Sequence, residues 1–259
     1  MLERIERGWR VFGTGLSFTA FGIGGLLLRV LVFPLLSLFV RRRSMRVMLA
    51  RDVIRLTFRL FIGFMRMLRV LRYDVVGVER LERRGLLILA NHPTLIDTVF
   101  LMAFIKHADC IVKSGLLRNP FTRGPVHAAG YISNDCGAGL IEDCVASLRN
   151  GGNLIVFPEG TRTPSDGTIL LKRGAANVAV RGQCNVTPVL IHCSPPTLGK
   201  GERWWQVPSR KVHIRLEVRQ DIDVLDFIAK TGNEALAARH LTDYLQTYFT
   251  RENQPHAVI

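Results

Sequence analysis

The sequence predicts an α/β domain preceded by a membrane-associated helical segment. Two observations lead to this class. A long apolar stretch lies near the N-terminus, and from about residue 73 short apolar runs alternate with stretches of helical periodicity. Such alternation is typical of a sheet covered by helices. We therefore predict a membrane-embedded or interfacial helical segment over residues 1–72 and a second domain over residues 73–259.

The apolar stretch covers residues 11–40 and contains a single charged residue, Arg29. It exceeds the roughly 20 residues needed to cross a bilayer core. Three glycines and one proline could divide it into two half-helices: Gly22, Gly24, Gly25 and Pro34. One span and a re-entrant hairpin are both compatible with this pattern. Because three arginines follow at 41–43, the positive-inside rule places that end in the cytoplasm.

Positive charge is concentrated in the same N-terminal segment. The chain of 259 residues has a formal net charge of +14, and residues 1–74 hold 14 arginines against four acidic residues. Residues 53–72 place arginines on one side at helical spacing. This stretch could be a helix in the lipid headgroup layer, a core helix with a solvated face, or a nucleic-acid-binding helix. The preceding apolar stretch favours the membrane surface and argues against nucleic acid as a partner.

The second domain has six predicted strands and four predicted helices. The strands are 73–78, 86–90, 110–113, 153–157, 185–191 and 211–218. The helices are 95–107, 139–149, 171–181 and 233–250. A Pro/Gly-rich loop, 194–210, carries Trp204 and Trp205, which could enter the membrane interface, line a pocket or plug the structure. Five cysteines without C-x-x-C spacing indicate a reducing compartment and no metal site.

The first candidate site is the stretch NHPTLID, residues 91–97, at a predicted strand-to-helix junction. Active sites of α/β sheets collect at such junctions. Pro93 can start the following helix, and a carboxylate at Asp97 could hold one ring nitrogen of His92. The other nitrogen would then face a substrate hydroxyl. Taken alone, however, the pattern also fits a structural histidine in an ordinary turn.

The second candidate site is the stretch FPEGTRT, residues 157–163, which follows another predicted strand. Glu159 and Arg162 flank a tight glycine turn. Such a loop can present backbone N–H groups and a guanidinium to an anion. Standing alone, it would equally fit a turn with a surface ion pair.

Together the two stretches resemble motifs of the glycerolipid (lysophospholipid) acyltransferase family, the 1-acylglycerol-3-phosphate acyltransferase-like proteins. NHPTLID resembles its N-H-x4-D block, and FPEGTRT its F-P-E-G-T-R-S block. Three further stretches resemble family segments in the same order: VKSGLLRNP (112–120), LLKRGAANVA (170–179) and VTPVLI (186–191). The resemblance implies a mixed sheet covered by helices and covers about residues 73–220.

The resemblance also implies residue roles. His92 would deprotonate an acceptor hydroxyl and Asp97 would orient it, without a covalent acyl-enzyme. The implied acceptor- and phosphate-binding residues are Lys113, Glu159, Gly160, Thr161, Arg162, Lys172 and Arg173, with Pro188 shaping the pocket. The acyl donor would be an acyl-CoA or acyl carrier protein thioester, used as a co-substrate, with no other cofactor.

One block departs from the family pattern. The second block usually reads G-x-I-F-x-x-R, and its arginine is linked to the acceptor phosphate. Here the stretch is GYISNDC (130–136), with Cys136 in place of the arginine. Within the family, this block and the N-terminal entry are most similar to the bacterial subgroup associated with aryl-polyene lipid gene clusters.

The sequence thus predicts an O-acyltransferase bound to the bacterial inner membrane, with its catalytic domain in the cytoplasm. Its partners would be membrane lipids and the thioester donor. The alternatives are acylation of a non-glycerophosphate acceptor, such as an aryl-polyene lipid or an amine head group, and a non-catalytic lipid-binding protein. The acyl chain length and oligomeric state stay open.

Overall fold

A seven-stranded mixed sheet forms the centre of the protein. The computed structural model describes residues 2–135 and 137–253. The strands are β1 (Leu71–Val76), β2 (Leu87–Ala90), β3 (Ala108–Val112), β4 (Ile132–Ser133), β5 (Asn153–Val156), β6 (Val186–Ser194) and β7 (Val212–Val218). Their spatial order is β1-β7-β6-β2-β5-β3-β4, and every neighbouring pair is parallel except β6 and β7. The mixed sheet and all six predicted strands are confirmed, whereas the two-residue β4 was not predicted.

Helices cover both faces of this sheet. They are α1 (Leu2–Leu27), α2 (Phe33–Phe39), α3 (Arg43–Met67), α4 (Asp97–Phe104), α5 (Ser114–Arg118), α6 (Arg123–Ala129), α7 (Leu140–Arg149), α8 (Gly174–Gly182), α9 (Leu225–Thr231) and α10 (Glu234–Glu252). Four of these, α4, α7, α8 and α10, are the helices predicted for the second domain. Short helices α5, α6 and α9 were not predicted.

Strand β2 contributes side chains to an apolar core on each face of the sheet. Its four residues are fully buried because side chains alternate between faces that are both covered. Ile88 and Ala90 pack into a cluster with α3 and α4, while Leu87 and Leu89 pack with α7, α8 and α10. A continuous apolar run is what such a doubly covered strand requires.

The apolar N-terminal stretch is one continuous helical rod. A π-helical turn, Leu28–Val32, joins α1 to α2, and Pro34 lies in the first turn of α2. Proline lacks an N–H and clashes with the preceding turn, and a π-turn relieves both problems without ending the helix. The sequence left a re-entrant hairpin open; this geometry excludes it. Residues Ile5–Phe39 are long and apolar enough to cross a membrane.

This rod lies along the α/β domain for most of its length. The indole of Trp9 donates to the carbonyl of Leu68. Near the other end, a Cβ on Gly25 would approach the carbonyl oxygen of Phe121 to 2.5 Å, so only glycine fits there. Between them, Phe21 packs against Phe58 and Phe61 of α3. The opposite face is apolar and exposed: Ile5, Phe12, Leu16, Ile23, Leu27, Val30, Leu31, Leu38 and Phe39.

Helix α3 belongs to the core of the α/β domain. Its residues Ile62 and Met65 share a buried cluster with Phe100 of α4. Of the three interpretations of residues 53–72, the structure favours a core helix with a solvated arginine face. Helix α3, which precedes the predicted boundary at residue 72, thus shares a buried cluster with residues that follow it.

A buried ion pair ties α3 to the sheet. Arg51 on α3 donates to Asp109 of β3 at 2.7 Å, and the two side chains are 13% and 4% exposed. Asp109 also accepts hydrogen bonds from the Ser147 hydroxyl and the Cys110 N–H. Removing one partner of such a pair leaves an uncompensated buried charge, which is costly.

We predict that Arg51→Leu lowers the free energy of unfolding by about 3–5 kcal/mol, because Asp109 stays buried without its cation. Arg59→Leu is the matched control, since Arg59 is exposed on the same helix, and it should change the value by less than about 0.5 kcal/mol. Denaturant unfolding in detergent measures both. Equal losses from the two variants would contradict the assignment of Arg51 to the core.

Candidate active site

The two candidate stretches meet at one edge of the sheet. NHPTLID follows the carboxyl end of β2, and FPEGTRT follows the carboxyl end of β5. These strands are parallel neighbours, with Leu89 opposite Val156. Parallel strands deliver their carboxyl ends to the same edge, where sites of open α/β sheets form. The topology therefore brings together two loops that are 67 residues apart from His92 to Glu159.

His92 and Asp97 form a hydrogen-bonded pair. The Nδ1 atom of His92 lies 2.8 Å from Oδ2 of Asp97. The Asp97 side chain is fully buried, while the His92 side chain is 17% exposed. The carboxylate therefore fixes the ring, and the second nitrogen, Nε2, is left for a reaction partner. This is the pairing that the sequence predicted.

The turn before α4 holds the Asp97 carboxylate. The backbone N–H of Thr94 donates to Oδ2 at 2.7 Å, and the Thr94 hydroxyl donates to Oδ1. Burial raises the pKa of Asp97, and the hydrogen bonds from His92 and Thr94 oppose this rise. The expectation that Pro93 starts the helix is wrong: Asp97 is the first residue of α4, because residues 93–96 form the turn that bonds back to its carboxylate.

Glu159 locks the two loops together. Its Oε1 accepts the backbone N–H of His92 at 2.9 Å and the hydroxyl of Thr163 at 2.9 Å. The N–H of Thr163 in turn donates to the carbonyl of His92 at 2.8 Å. Glu159 is 4% exposed, and burial raises its pKa, with these hydrogen bonds opposing the rise. In the structure, the Glu159 carboxylate is therefore hydrogen-bonded to the protein backbone at His92.

Two further residues that sequence reasoning missed support His92. The ring of Phe157 stacks on the imidazole, with centroids 4.1 Å apart. The buried amide of Asn91 exchanges two hydrogen bonds with the backbone of Ile191 on β6, at 2.9 and 2.7 Å. Asn91 thereby extends the β2–β6 pairing to the residue before His92. The sequence did carry a signal for Asn91, because it is a polar residue between the apolar run of β2 and His92.

Gly160 and Lys172 are brought together. Gly160 has a φ of +68°, and a Cβ there would lie 3.0 Å from Nζ of Lys172. The N–H of Lys172 also donates to the carbonyl of Pro158. A side chain at position 160 would therefore be strained and would displace the ammonium group.

The remaining predicted residues lie less centrally. Lys113 and Arg173 are exposed at the residues preceding α5 and α8, and Thr161 is half-buried. Pro188 is buried within β6 opposite Leu89, and another β6 residue, Ile191, is hydrogen-bonded to Asn91 of the NHPTLID stretch. Of the second block, Asn134 accepts the N–H of Ser114 and steadies the turn after Lys113. Cys136 lies outside the described residues.

Arg162 donates to backbone carbonyls. Its Nη1 lies 2.9 Å from the oxygen of Leu198 and 2.7 Å from that of Gly199. Both belong to the long loop between β6 and β7. The guanidinium therefore links the loop after β5 to the loop after β6.

Comparison with known proteins agrees with this site. The acyltransferase family model matches residues 72–192, which include both catalytic-edge loops. Over these residues the chain is similar to the glycerolipid acyltransferase family. The 1-acyl-sn-glycerol-3-phosphate acyltransferase of Pseudomonas aeruginosa is 27% identical over 140 residues, which cover 51% of this chain and 53% of that protein. The Helicobacter pylori enzyme of the same name is 28% identical over 169 residues, covering 62% and 69%.

A solved structure shares the fold of this chain. The 1-acyl-sn-glycerophosphate acyltransferase PlsC of Thermotoga maritima matches with a TM-score of 0.72 at 21% identity, covering 99% of this chain and 98% of that one. The chain spans about half the length of the curated relatives it matches first. The matched half carries the acyltransferase domain and its His92–Asp97 pair.

We predict opposite outcomes for two Glu159 variants. Glu159→Gln keeps an oxygen for the N–H of His92 and removes a buried charge, so the free energy of unfolding at pH 7 should not fall. Glu159→Ala leaves that N–H unpaired and should cost about 1–3 kcal/mol.

The difference in unfolding free energy between Glu159→Gln and wild type should depend on pH in a definite direction. Because the pKa of Glu159 is raised on folding, the native state binds more protons than the unfolded state, and stability falls as pH rises through this range. The advantage of Glu159→Gln over wild type should therefore grow with pH and vanish in acid. Denaturant unfolding at several pH values measures it, and an advantage that is largest in acid would contradict this account.

Proposed function

We propose that this protein transfers an acyl group from a thioester to a hydroxyl group of a glycerolipid-like acceptor, with His92 as the general base. The observation that carries the proposal is the 2.8 Å contact between His92 Nδ1 and the buried carboxylate of Asp97. It holds the ring in one orientation and leaves Nε2 of the partly exposed His92 side chain for the substrate. The activity named for the family relatives supports the same chemistry.

The proposed reaction needs no covalent enzyme intermediate. His92 Nε2 takes the proton of the acceptor hydroxyl while its oxygen attacks the thioester carbonyl carbon. The carbon–sulfur bond then breaks, and the imidazolium returns the proton to the leaving thiolate. The products are an ester and a free thiol. Burial and the Asp97 carboxylate raise the pKa of Cys193 to about 12, so this neighbouring thiol stays protonated and is a poor nucleophile.

The cations at the catalytic edge suit a phosphorylated ligand. Lys172 lies over the Gly160 turn, and Lys113 and Arg173 are exposed at the same edge. They could hold the acceptor phosphate or the phosphates of an acyl-CoA or a carrier-bound pantetheine. The absence of an arginine at position 136 favours, as second candidate, an acceptor without glycerophosphate, such as an aryl-polyene lipid or an amine head group.

We further propose that the helical rod of α1 and α2 lies along the membrane surface. Its contacts with the α/β domain run from Trp9 to Phe33, which corresponds to about 36 Å of helix. A rod covered by protein on one face over that length cannot cross a bilayer of about 30 Å alone. Its exposed apolar face can instead enter the acyl region while Arg41–Arg43 contact anionic headgroups. A cytoplasmic site on the bacterial inner membrane fits this orientation.

The test of catalysis is acyl transfer by His92→Ala and Asp97→Asn in membranes, with labelled acyl-CoA and acyl carrier protein thioesters. The acceptor panel includes lysophosphatidate, monoacylglycerol and an amine lipid. Both variants should lose roughly 10²–10⁴-fold in rate, because one lacks the base and the other loses the charge that orients it.

The matched control is His240→Ala, an exposed histidine on α10, which should keep wild-type activity. Equal product from wild type and His92→Ala would sink the base assignment. The productive acceptor would decide between the two candidate functions. Lipid binding without product formation from any acceptor would favour a non-catalytic lipid-binding protein.

Membrane attachment has its own test. We expect the protein to stay with vesicles of zwitterionic and anionic lipid in 1 M salt, because apolar burial is insensitive to screening. Replacing Phe12, Ile23 and Leu31 by serine should release it into the soluble fraction under the same conditions. Release of the wild type by salt alone would indicate purely electrostatic binding, as expected for a nucleic-acid-type basic surface.

A further inference from the structure

The loop between β6 and β7 contacts both the N-terminal rod and the loop of residues 91–97, which carries His92 and which we call the catalytic loop. We call residues 195–211 the strap. Its inner end meets the loops that carry His92 and Arg162, and its outer end meets α1. No other described segment is hydrogen-bonded to both.

The inner end of the strap is held through the carbonyl group of Leu198. The oxygen of Leu198 accepts the backbone N–H of Leu95 at 3.1 Å and Nη1 of Arg162 at 2.9 Å. Leu198 is buried and has a φ of +53°, which a branched side chain rarely adopts. These two donors are what hold this carbonyl in place. Leu95 lies three residues from His92, so the strap is bonded to the catalytic loop itself.

The outer end is seated on α1. The ring of Trp204 lies 3.1 Å from the position of a Cβ on Gly15, and it also packs against Phe18. The buried guanidinium of Arg10 donates to the carbonyl of Ser209. The position of α1 on the domain therefore fixes the outer end of the strap.

Arg162 is committed to this arrangement. An Nη atom of arginine carries two hydrogens, and those of Nη1 are used by the oxygens of Leu198 and Gly199. That nitrogen has no hydrogen left for a substrate anion. Through Nη1, the guanidinium satisfies two carbonyls of a loop without regular secondary structure.

We propose that Arg162 is a positioning residue that holds the strap in place where Leu95 of the catalytic loop is bonded to it, and so couples the seating of α1 to the orientation of His92. The effect on catalysis rests on the proposed function, whereas the structural link does not. The substrate-binding role implied for Arg162 by family resemblance would be secondary to this one.

The structural link is tested by trypsin, which can cut after the exposed strap residues Lys200 and Arg203. In full-length protein in detergent, Arg162→Ala should raise the rate of cleavage at these sites about tenfold or more, because two hydrogen bonds from a charged donor are lost. Arg239→Ala, an exposed arginine on α10, should leave it unchanged. Thermal unfolding of each variant separates local release from global unfolding.

The catalytic consequence is tested with a charged and a neutral acceptor, lysophosphatidate and monoacylglycerol. Arg162→Ala should lower kcat by a similar factor for both and change KM little. Arg162→Lys should recover part of kcat, since an ammonium can still donate to both carbonyls. Trp204→Ala should also lower kcat, and the double variant should lose less than the product of the two single losses.

Three results would overturn the proposal. One is unchanged strap cleavage in Arg162→Ala; another is a KM increase confined to lysophosphatidate, which would identify a phosphate ligand. The third is full independence of the Arg162 and Trp204 effects. If the wild type transfers no acyl group to either acceptor, the proposed function fails, and the cleavage rates alone decide whether the strap is fastened by Arg162.

Discussion

The buried carboxylate of Glu159 is the constraint on which the site depends. It accepts the N–H of His92, and the pair is completed by the hydrogen bond from Thr163 to the His92 carbonyl. The backbone of His92 is therefore held by the neighbouring loop, and Asp97 sets the orientation of its ring. Two carboxylates in low-dielectric surroundings are costly, and each is offset by at least two donors. In the proposed mechanism this cost serves catalysis, because a general base must be held in one geometry to act on a bound hydroxyl.

Other contacts around Glu159 each restrict one part of the site. Asn91 extends the sheet to the residue before His92, Phe157 supports the ring face, and the strap closes the loop from the side of α1. In this arrangement the apolar rod of α1 and α2 packs against the same domain that carries His92. An enzyme of this design would be organised at the surface where its lipid substrate is found.

The sequence was sufficient for features that rest on local pattern. The run before His92 predicted β2 because both faces of that strand are covered, and the His92–Asp97 pairing followed from a five-residue spacing across one turn. The role of α3 could not be predicted, because an apolar helix face has the same residues whether it meets lipid or protein. The buried ion pair of this helix shows the same limit. Asp109, the partner of Arg51, lies 58 residues away in the sequence, and only the tertiary fold brings the two together. The strand β4 has too few residues to show a period.

Arg162 shows why a motif does not fix a role. The same planar set of donors binds phosphate, carboxylate or backbone carbonyls, and only the position of the β6–β7 loop decides among them. With Nη1 engaged by the strap and Cys136 in place of the family arginine, the exposed cations proposed for ligand binding at this edge are Lys113, Lys172 and Arg173, two of them lysines. A lysine attracts phosphate as a point charge and does not impose the paired geometry of a guanidinium. We therefore expect acceptor choice in this protein to depend more on the shape around the reacting hydroxyl than on phosphate recognition.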